Sequence, residues 1–137
     1  MNQQDQRYVR TADTSRSSFP LGKAFKCASE GIGYTFSSQR NLKIQCCFAV
    51  LAVVLGIVFG ITPTQWAVIC VCIVLVMGGE CINTAIESVV DLVSPEWNIL
   101  AKRAKDCAAG AVWIFAIGSV VVALFIFLPP FLALFSA

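Results

Sequence analysis

Apolar and polar residues lie in long separate blocks along this chain. After a polar N-terminal stretch, three apolar runs cover about residues 44–61, 66–93 and 107–128. A helix of roughly 20 apolar residues is long enough to cross the hydrocarbon core of a bilayer. The pattern therefore predicts an all-α integral membrane protein with three transmembrane helices.

The breaks between these runs contain turn-forming residues. A short turn is predicted over residues 61–65, where Pro63 disfavours a continued helix. A Ser-Pro pair at 94–95 marks the second break, and we expect a loop and a short polar helix from there through Asp106. Two prolines at 129–130 mark the expected end of the third span.

A different kind of element precedes the first span. Between residues 20 and 38, five apolar side chains fall within roughly 80° of arc at 100° per residue, and these are Leu21, Phe25, Ala28, Ile32 and Phe36. Lys23, Lys26 and Glu30 lie on the opposite side. This predicts an N-terminal amphipathic helix lying in the membrane interface, although two glycines at 31 and 33 weaken it.

The charge distribution predicts the topology. The chain is 58% hydrophobic and only 13% charged, whereas soluble domains are about 25% charged. Its Lys and Arg residues lie before the first span or between the second and third, so the positive-inside rule places both groups, and the N-terminus, in the cytoplasm. Residues 1–18 are expected to be a disordered cytoplasmic tail. The net charge of +2 thus reports topology, and we expect no nucleic-acid partner.

Seven cysteines without a CxxC pair or any histidine argue against a zinc site.

The inner end of the second span contains the most informative residues. On a helical wheel, Glu80, Asn83, Glu87 and Asp91 share roughly 80° of one face. Acids inside a span are costly and usually functional. Glu80 and Glu87 are separated by roughly 10 Å along the axis, so they can serve different roles. An acid near the interface with other oxygen ligands suits Mg²⁺, and a deeper acid can accept a proton from a hydroxyl.

A simpler explanation places these acids among the lipid headgroups, paired with the basic residues of the following loop. It suits Asp91 better than Glu80, which is aligned with Glu87 and Asn83. Lys105 is likewise either a phosphate-binding residue or an ordinary positive-inside residue. The sequence has no phosphate-binding loop and no protein-kinase signature. In a kinase of this kind, metal and basic side chains would have to balance the phosphate charge.

Three segments carry longer motifs. The central one is Glu80-x-x-Asn83-Thr84-Ala85-Ile86-Glu87-x-x-Val90-Asp91. The next is Ala104-Lys105-Asp106-x-Ala108-Ala109-Gly110-Ala111-Val112, and the one before the first span is Ser37-x-x-Arg40-Asn41-x-Lys43-Ile44. In order and spacing, over roughly residues 22–128, the chain resembles the prokaryotic diacylglycerol kinase family, which includes undecaprenol kinases.

This resemblance implies a membrane kinase domain over residues 19–137 that forms a homotrimer with active sites shared between subunits. It implies transfer of the ATP γ-phosphate to a membrane-lipid hydroxyl at the cytoplasmic face of a bacterial inner (plasma) membrane, with Mg²⁺ as cofactor. Glu80 matches the catalytic base and Asn83 a polar residue near the reacting groups. Glu87 and Gln39 match metal ligands. The positions matching nucleotide contacts are Glu96, Trp97, Asn98, Lys105 and Asp106.

Two positions depart from the family pattern. The family usually has a glutamate where Gln39 stands, and a glutamine keeps an oxygen ligand but loses a charge, so Mg²⁺ should bind more weakly. The family often has an aromatic residue where Cys27 stands. These departures leave open an inactive relative or assembly factor.

Two further questions remain open at this level. A small cation- or proton-coupled carrier is an alternative, but carriers favour acids near the midplane and internal repeats, and neither is seen. Diacylglycerol and undecaprenol both present one hydroxyl on an apolar body. The Lys-Asp-x-Ala-Ala-Gly-Ala-Val segment gives a slight preference for undecaprenol.

Overall fold

The computed structural model describes residues 20–135. Within this range the chain forms only α-helices and no strand, and the helices are α1 (Leu21–Ser38), α2 (Arg40–Phe59), α3 (Pro63–Val93) and α4 (Ile99–Ala133). By length and composition, α2, α3 and α4 can each cross a membrane. The predicted all-α, three-span class is confirmed. The predicted tail over residues 1–18 lies outside the described residues.

The chain divides into two compact units, and the division falls between Gly33 and Tyr34. In the first unit, the described residues are the earlier turns of α1, where an ion pair joins Lys26 and Glu30 at 3.9 Å. Both side chains of this pair are largely exposed, so it contributes little to stability. The second unit begins with the last turn of α1 and contains the three long helices.

The turn between α2 and α3 is defined by local hydrogen bonds. Gly60 ends α2 in the left-handed conformation at φ 58°, and the Ile61 N–H donates to the Gly56 carbonyl at 3.2 Å. Thr62 and Gln65 then form a capping box at the start of α3. Pro63 is the first residue of α3 rather than part of a turn, because that position needs no N–H donor.

Helix α4 is longer than the third predicted span at both ends. It begins at Ile99, capped by the Asn98 side chain, so the expected short polar helix is its first part. The helix runs without a break through Asp106 and Cys107, where the polar segment was expected to give way to the third span. At the other end α4 continues through Pro129 and Pro130 to Ala133. Each proline costs the helix one backbone hydrogen bond to the carbonyl four residues earlier, so this pair weakens the last turns of α4 without ending it.

Helix α3 packs mainly on α4, while α2 lies alongside both. At the contact between α3 and α4, Gly79 faces the ring of Phe115, and a Cβ at position 79 would come within 2.8 Å of the Phe115 Cδ2. The small residue therefore permits the close approach, as is usual between membrane helices. Farther along α3, Ile69 forms a buried cluster with Ile126 and Phe127 of α4.

Candidate functional site

The acidic face of α3 is turned into the second unit. Glu80 is only 1% exposed and Asn83 is 7% exposed, and Thr84 is also buried. The Thr84 hydroxyl donates to the Glu80 backbone carbonyl at 2.9 Å, so its polar group is satisfied within the helix. The Glu80 carboxyl, in contrast, keeps its Oε1 without a hydrogen-bond partner.

About two turns beyond Glu80 on α3, two side-chain amides converge on the Glu87 carboxylate. The Asn83 Nδ2 donates to the Glu87 Oε1, and the Gln39 Nε2 donates to the Glu87 Oε2, both at 3.2 Å. Gln39 reaches α3 because it lies between α1 and α2 in an extended conformation, with φ −98° and ψ 117°. Its side chain does not cap α2. Gln39 and Glu87, which are 48 positions apart in sequence, are thus in direct contact.

Gln45 of α2 belongs to this site, and the sequence interpretation missed it. Its side chain lines the same groove as the Glu80 side chain. Three buried acceptor atoms at this end of the site have no hydrogen-bond partner, and they are the Gln45 Oε1, the Glu80 Oε1 and the Asn83 Oδ1. Buried polar atoms are nearly always paired. These oxygens therefore indicate a place where a hydrogen-bond donor binds.

An apolar groove of about 520 Å³ begins at these oxygens and runs between α2, α3 and α4. Its polar end is lined by Asn41, Gln45, Glu80 and Asn83. Its other end is formed near Ile69 and Phe127. Glu80 and Ile69 are 11 residues apart on α3, so the groove extends about 16 Å along that helix. This volume is within the range of small-molecule sites.

The basic residues at the start of α4 are paired with acids. Lys105 donates to the Asp91 Oδ1 at 2.5 Å, which joins α4 to the end of α3. Lys102 pairs with Asp106 one turn along α4. The simpler explanation of Asp91, pairing with a basic residue of the following segment, is therefore realised. Through this contact Lys105 lies toward the same end of α3 as Glu87, one turn beyond it.

The other three residues matched to nucleotide contacts lie between α3 and α4. Glu96 and Trp97 are exposed, and Trp97 is 81% exposed. Asn98 has a structural role, because its Oδ1 accepts from the Leu100 N–H at 2.8 Å and from the Ala101 N–H at 3.4 Å. Within residues 20–135, no hydrogen bond connects these three residues, or Lys105, with the residues at the Glu80 end of the groove.

The donor set around Glu87 suits a hard cation. Glu87 contributes a carboxylate, and Gln39 and Asn83 contribute amide groups whose oxygens can turn toward a metal. Across residues 20–135, no three His, Cys, Asp or Glu side chains cluster as a metal site. Mg²⁺ does not require such a cluster, because it is commonly held by one or two carboxylates together with water and substrate phosphates.

Comparison with known proteins bears on the origin of this site. A family model described as prokaryotic diacylglycerol kinase matches residues 26–127. The chain belongs to the prokaryotic diacylglycerol kinase family. This membership confirms the sequence resemblance, and together with the three membrane-spanning helices it makes the chain a multi-pass membrane protein.

Individual relatives include proteins named for two different lipids. The chain is 42% identical over 112 residues to a diacylglycerol kinase of Synechocystis sp. (strain ATCC 27184 / PCC 6803 / Kazusa), covering 81% of this chain and 64% of that protein. It is 38% identical over 107 residues to an undecaprenol kinase of Bacillus subtilis (strain 168), covering 78% of this chain and 87% of that protein. The chain thus spans less than two thirds of the Synechocystis protein.

Proposed function

We propose that this protein is a lipid kinase that transfers the γ-phosphate of ATP to the hydroxyl of a membrane lipid, either diacylglycerol or undecaprenol. The observation that carries the proposal is a buried, unpartnered carboxyl oxygen of Glu80 at the head of an apolar groove. Two relatives are named as a diacylglycerol kinase and an undecaprenol kinase, and these names support the proposed substrate class.

The dimensions of the groove fit a lipid held within its own leaflet. Its length of about 16 Å along α3 is about half of the roughly 30 Å hydrocarbon core. A hydrocarbon chain in the groove would place the lipid hydroxyl at the oxygens of Glu80, Gln45 and Asn83, which lack donors. The proposed orientation puts this end at the cytoplasmic face of a bacterial inner membrane, where ATP is available.

Glu80 acts as the general base in this proposal. Its Oε1 accepts the hydroxyl proton while the hydroxyl oxygen forms a bond to the γ-phosphorus, and the bond from that phosphorus to ADP breaks. Proton transfer to a positioned side chain contributes about 10²- to 10⁴-fold to rate. Asn83, one turn from Glu80 and bonded to Glu87, links the base to the phosphate end of the site.

Glu87 would hold Mg²⁺ with the amide oxygens of Gln39 and Asn83. When bound, the metal supplies charge neutralisation for the phosphate oxygens of ATP. Glu96, Trp97, Asn98, Lys105 and Asp106 are the proposed nucleotide contacts. Lys105 would bind phosphate either after its ion pair with Asp91 breaks or while it contacts both groups. Breaking the pair costs little, because an exposed ion pair is weak.

The test is phosphate transfer from labelled ATP by the purified protein in mixed micelles. Diacylglycerol and undecaprenol are offered separately, with and without Mg²⁺. We expect Mg²⁺-dependent labelling of one lipid, and the labelled lipid identifies the substrate. Absence of labelling of both lipids, from protein shown to be folded, would contradict the proposal and favour an inactive relative.

A further inference from the structure

The end of the groove opposite Glu80 is formed by a packed apolar cluster. Ile69 and Phe127 line this end, and together with Ile126 they form the buried cluster at which α3 meets α4. The ring of Phe59 on α2 lies beside that of Phe127, with 6.4 Å between the ring centroids. Side chains from all three long helices therefore pack at this end and limit the length of the groove.

Two alanines on different helices leave space in the groove just before this cluster. Ala52 of α2 and Ala123 of α4 both line the groove and pack against the cluster. Each is half-buried. Because the side chain of alanine is a single methyl group, a larger apolar residue at either position would occupy part of the groove. The small size of these two residues therefore sets how much space remains at the far end.

The polar end of the groove indicates what the groove holds. Glu80 and Asn83 are only 1% and 7% exposed, and among residues 20–135 the Glu80 Oε1 and the Asn83 Oδ1 have no hydrogen-bond partner. Buried acceptors of this kind call for a donor. The groove extends about 16 Å along α3 from Glu80 to Ile69, which matches one leaflet of the roughly 30 Å hydrocarbon core. A hydroxyl group on a leaflet-length hydrocarbon chain suits both ends of the groove.

We propose that Ala52 and Ala123 determine which lengths of hydrocarbon chain the groove accepts. The inference rests on the proposed function, since the chain is that of the lipid substrate. A chain that spans one leaflet reaches both alanines when its hydroxyl lies at Glu80, whereas a chain half as long ends before them. Substrate specificity then depends on residues that do not touch the reacting atoms.

The experiment compares a long and a short lipid of the class that the wild type phosphorylates, using variants of the full-length protein in mixed micelles. The pairs are dipalmitoylglycerol with dioctanoylglycerol, and undecaprenol with geraniol. Ala52→Leu and Ala123→Leu each fill the far end from a different helix. The matched control is Ala67→Leu, which makes the same change at an exposed position of α3 outside the groove lining.

A further variant tests whether the effect depends on depth in the groove. Ala116 also lines the groove, and it follows Phe115, whose ring faces Gly79 next to Glu80. It is seven residues from Ala123 on α4, so it lies about 10 Å closer to the polar end. Both the long and the short lipid pass this level, and Ala116→Leu should therefore lower kcat/KM for both lipids alike.

The measured quantity is the ratio of kcat/KM for the long lipid to kcat/KM for the short lipid. Both values come from one preparation, so a smaller folded fraction lowers them equally and leaves the ratio unchanged. One methylene in an apolar pocket can change kcat/KM by about 10-fold or more. We expect the ratio to fall about 10-fold in Ala52→Leu and Ala123→Leu, and to stay at the wild-type value in Ala67→Leu and Ala116→Leu.

An unchanged ratio in Ala52→Leu and Ala123→Leu would overturn the inference. An equal loss for both lipids in these variants would also overturn it, and would favour another occupant of the far end, such as a helix of a second copy of the chain. If the wild type labels none of the lipids, the proposed function itself fails. Labelling by the wild type with unchanged ratios in the variants contradicts this inference alone.

Discussion

Glu80 combines two properties that rarely occur together in a membrane span. It is nearly completely buried, yet one of its carboxyl oxygens has no hydrogen-bond partner. Burial of an unpaired polar atom costs free energy, and a substrate hydroxyl at that oxygen would remove the cost. A purely structural acid would be paired instead, as Asp91 is with Lys105.

Glu80→Gln should abolish phosphate transfer while leaving a folded, membrane-inserted protein. The amide has the size of the carboxyl but cannot accept the hydroxyl proton, so kcat should fall by at least about 10²-fold. Labelling of lipid by ATP measures the loss, and Glu30→Gln, at an exposed acid of α1, is the control. Turnover near the wild-type value would exclude Glu80 as the base.

Gln39→Glu should lower the Mg²⁺ concentration that gives the half-maximal rate. Gln39 already contacts Glu87 through its amide, and a second carboxylate at this position adds a charged oxygen ligand to a site that suits Mg²⁺. A Mg²⁺ titration of initial rates measures the shift, with Gln65→Glu, at the opposite end of α3, as a control. An unchanged requirement would mean that residue 39 is not a ligand.

At the scale of elements, the contact between α3 and α4 depends on one of two adjacent glycines. Gly79→Ala should destabilise the protein by about 1–3 kcal/mol, because the added Cβ meets the Phe115 ring at 2.8 Å. Gly78→Ala is the matched control, since a Cβ there has no heavy atom within 4 Å. Unfolding by denaturant in micelles gives both free energies. Equal stability of the two variants would contradict the described packing of α3 on α4.

The start of α4 offers a way to separate capping from nucleotide binding. Asn98→Asp keeps the capping oxygen and should preserve stability, whereas Asn98→Ala should cost about 1 kcal/mol. If Asn98 also contacts ATP, the aspartate should raise the KM for ATP by adding negative charge near the phosphates. Thermal unfolding and ATP titrations measure the two effects. A normal KM in a stable Asn98→Asp variant would assign Asn98 to the cap alone.

The elements were predicted from sequence better than their ends. Long apolar runs determine that α2, α3 and α4 form, because a bilayer core requires every backbone group to be hydrogen-bonded. The position of Pro63 inside α3 depends on the capping box of Thr62 and Gln65, which is local geometry. The continuation of α4 through Pro129 depends equally on where the helix places its last turn.

The candidate site was predictable where its residues share one helix. The spacing of Glu80, Asn83 and Glu87 places them on one face, and the structure brings Asn83 to Glu87 as that spacing requires. The presence of Gln45 at the site was not predicted, because it lines the groove with Glu80 from a different helix, and the periodicity does not determine the register between two helices. Its isolated position in an apolar run was the available signal, since a polar side chain there needs a partner.

At the scale of the whole molecule, the proposed homotrimer makes a prediction about mixtures. If sites are shared between subunits, trimers that contain both Glu80→Gln and Lys105→Ala chains should regain activity. Some of their sites would combine Glu80 from one chain with Lys105 from the other. Rates after joint unfolding and refolding in micelles measure the recovery, with each variant refolded alone as the control. A mixture no more active than its parents would favour sites made within one chain.

The position of the groove also determines which measure of lipid-substrate concentration controls the reaction rate. Because it lies between helices that can span the membrane, we expect a lipid to enter it by lateral diffusion within the leaflet and not to cross water. The relevant concentration is then the mole fraction of substrate among neighbouring lipids. Diluting the substrate with inert lipid should slow the reaction, whereas adding buffer at a fixed lipid composition should not.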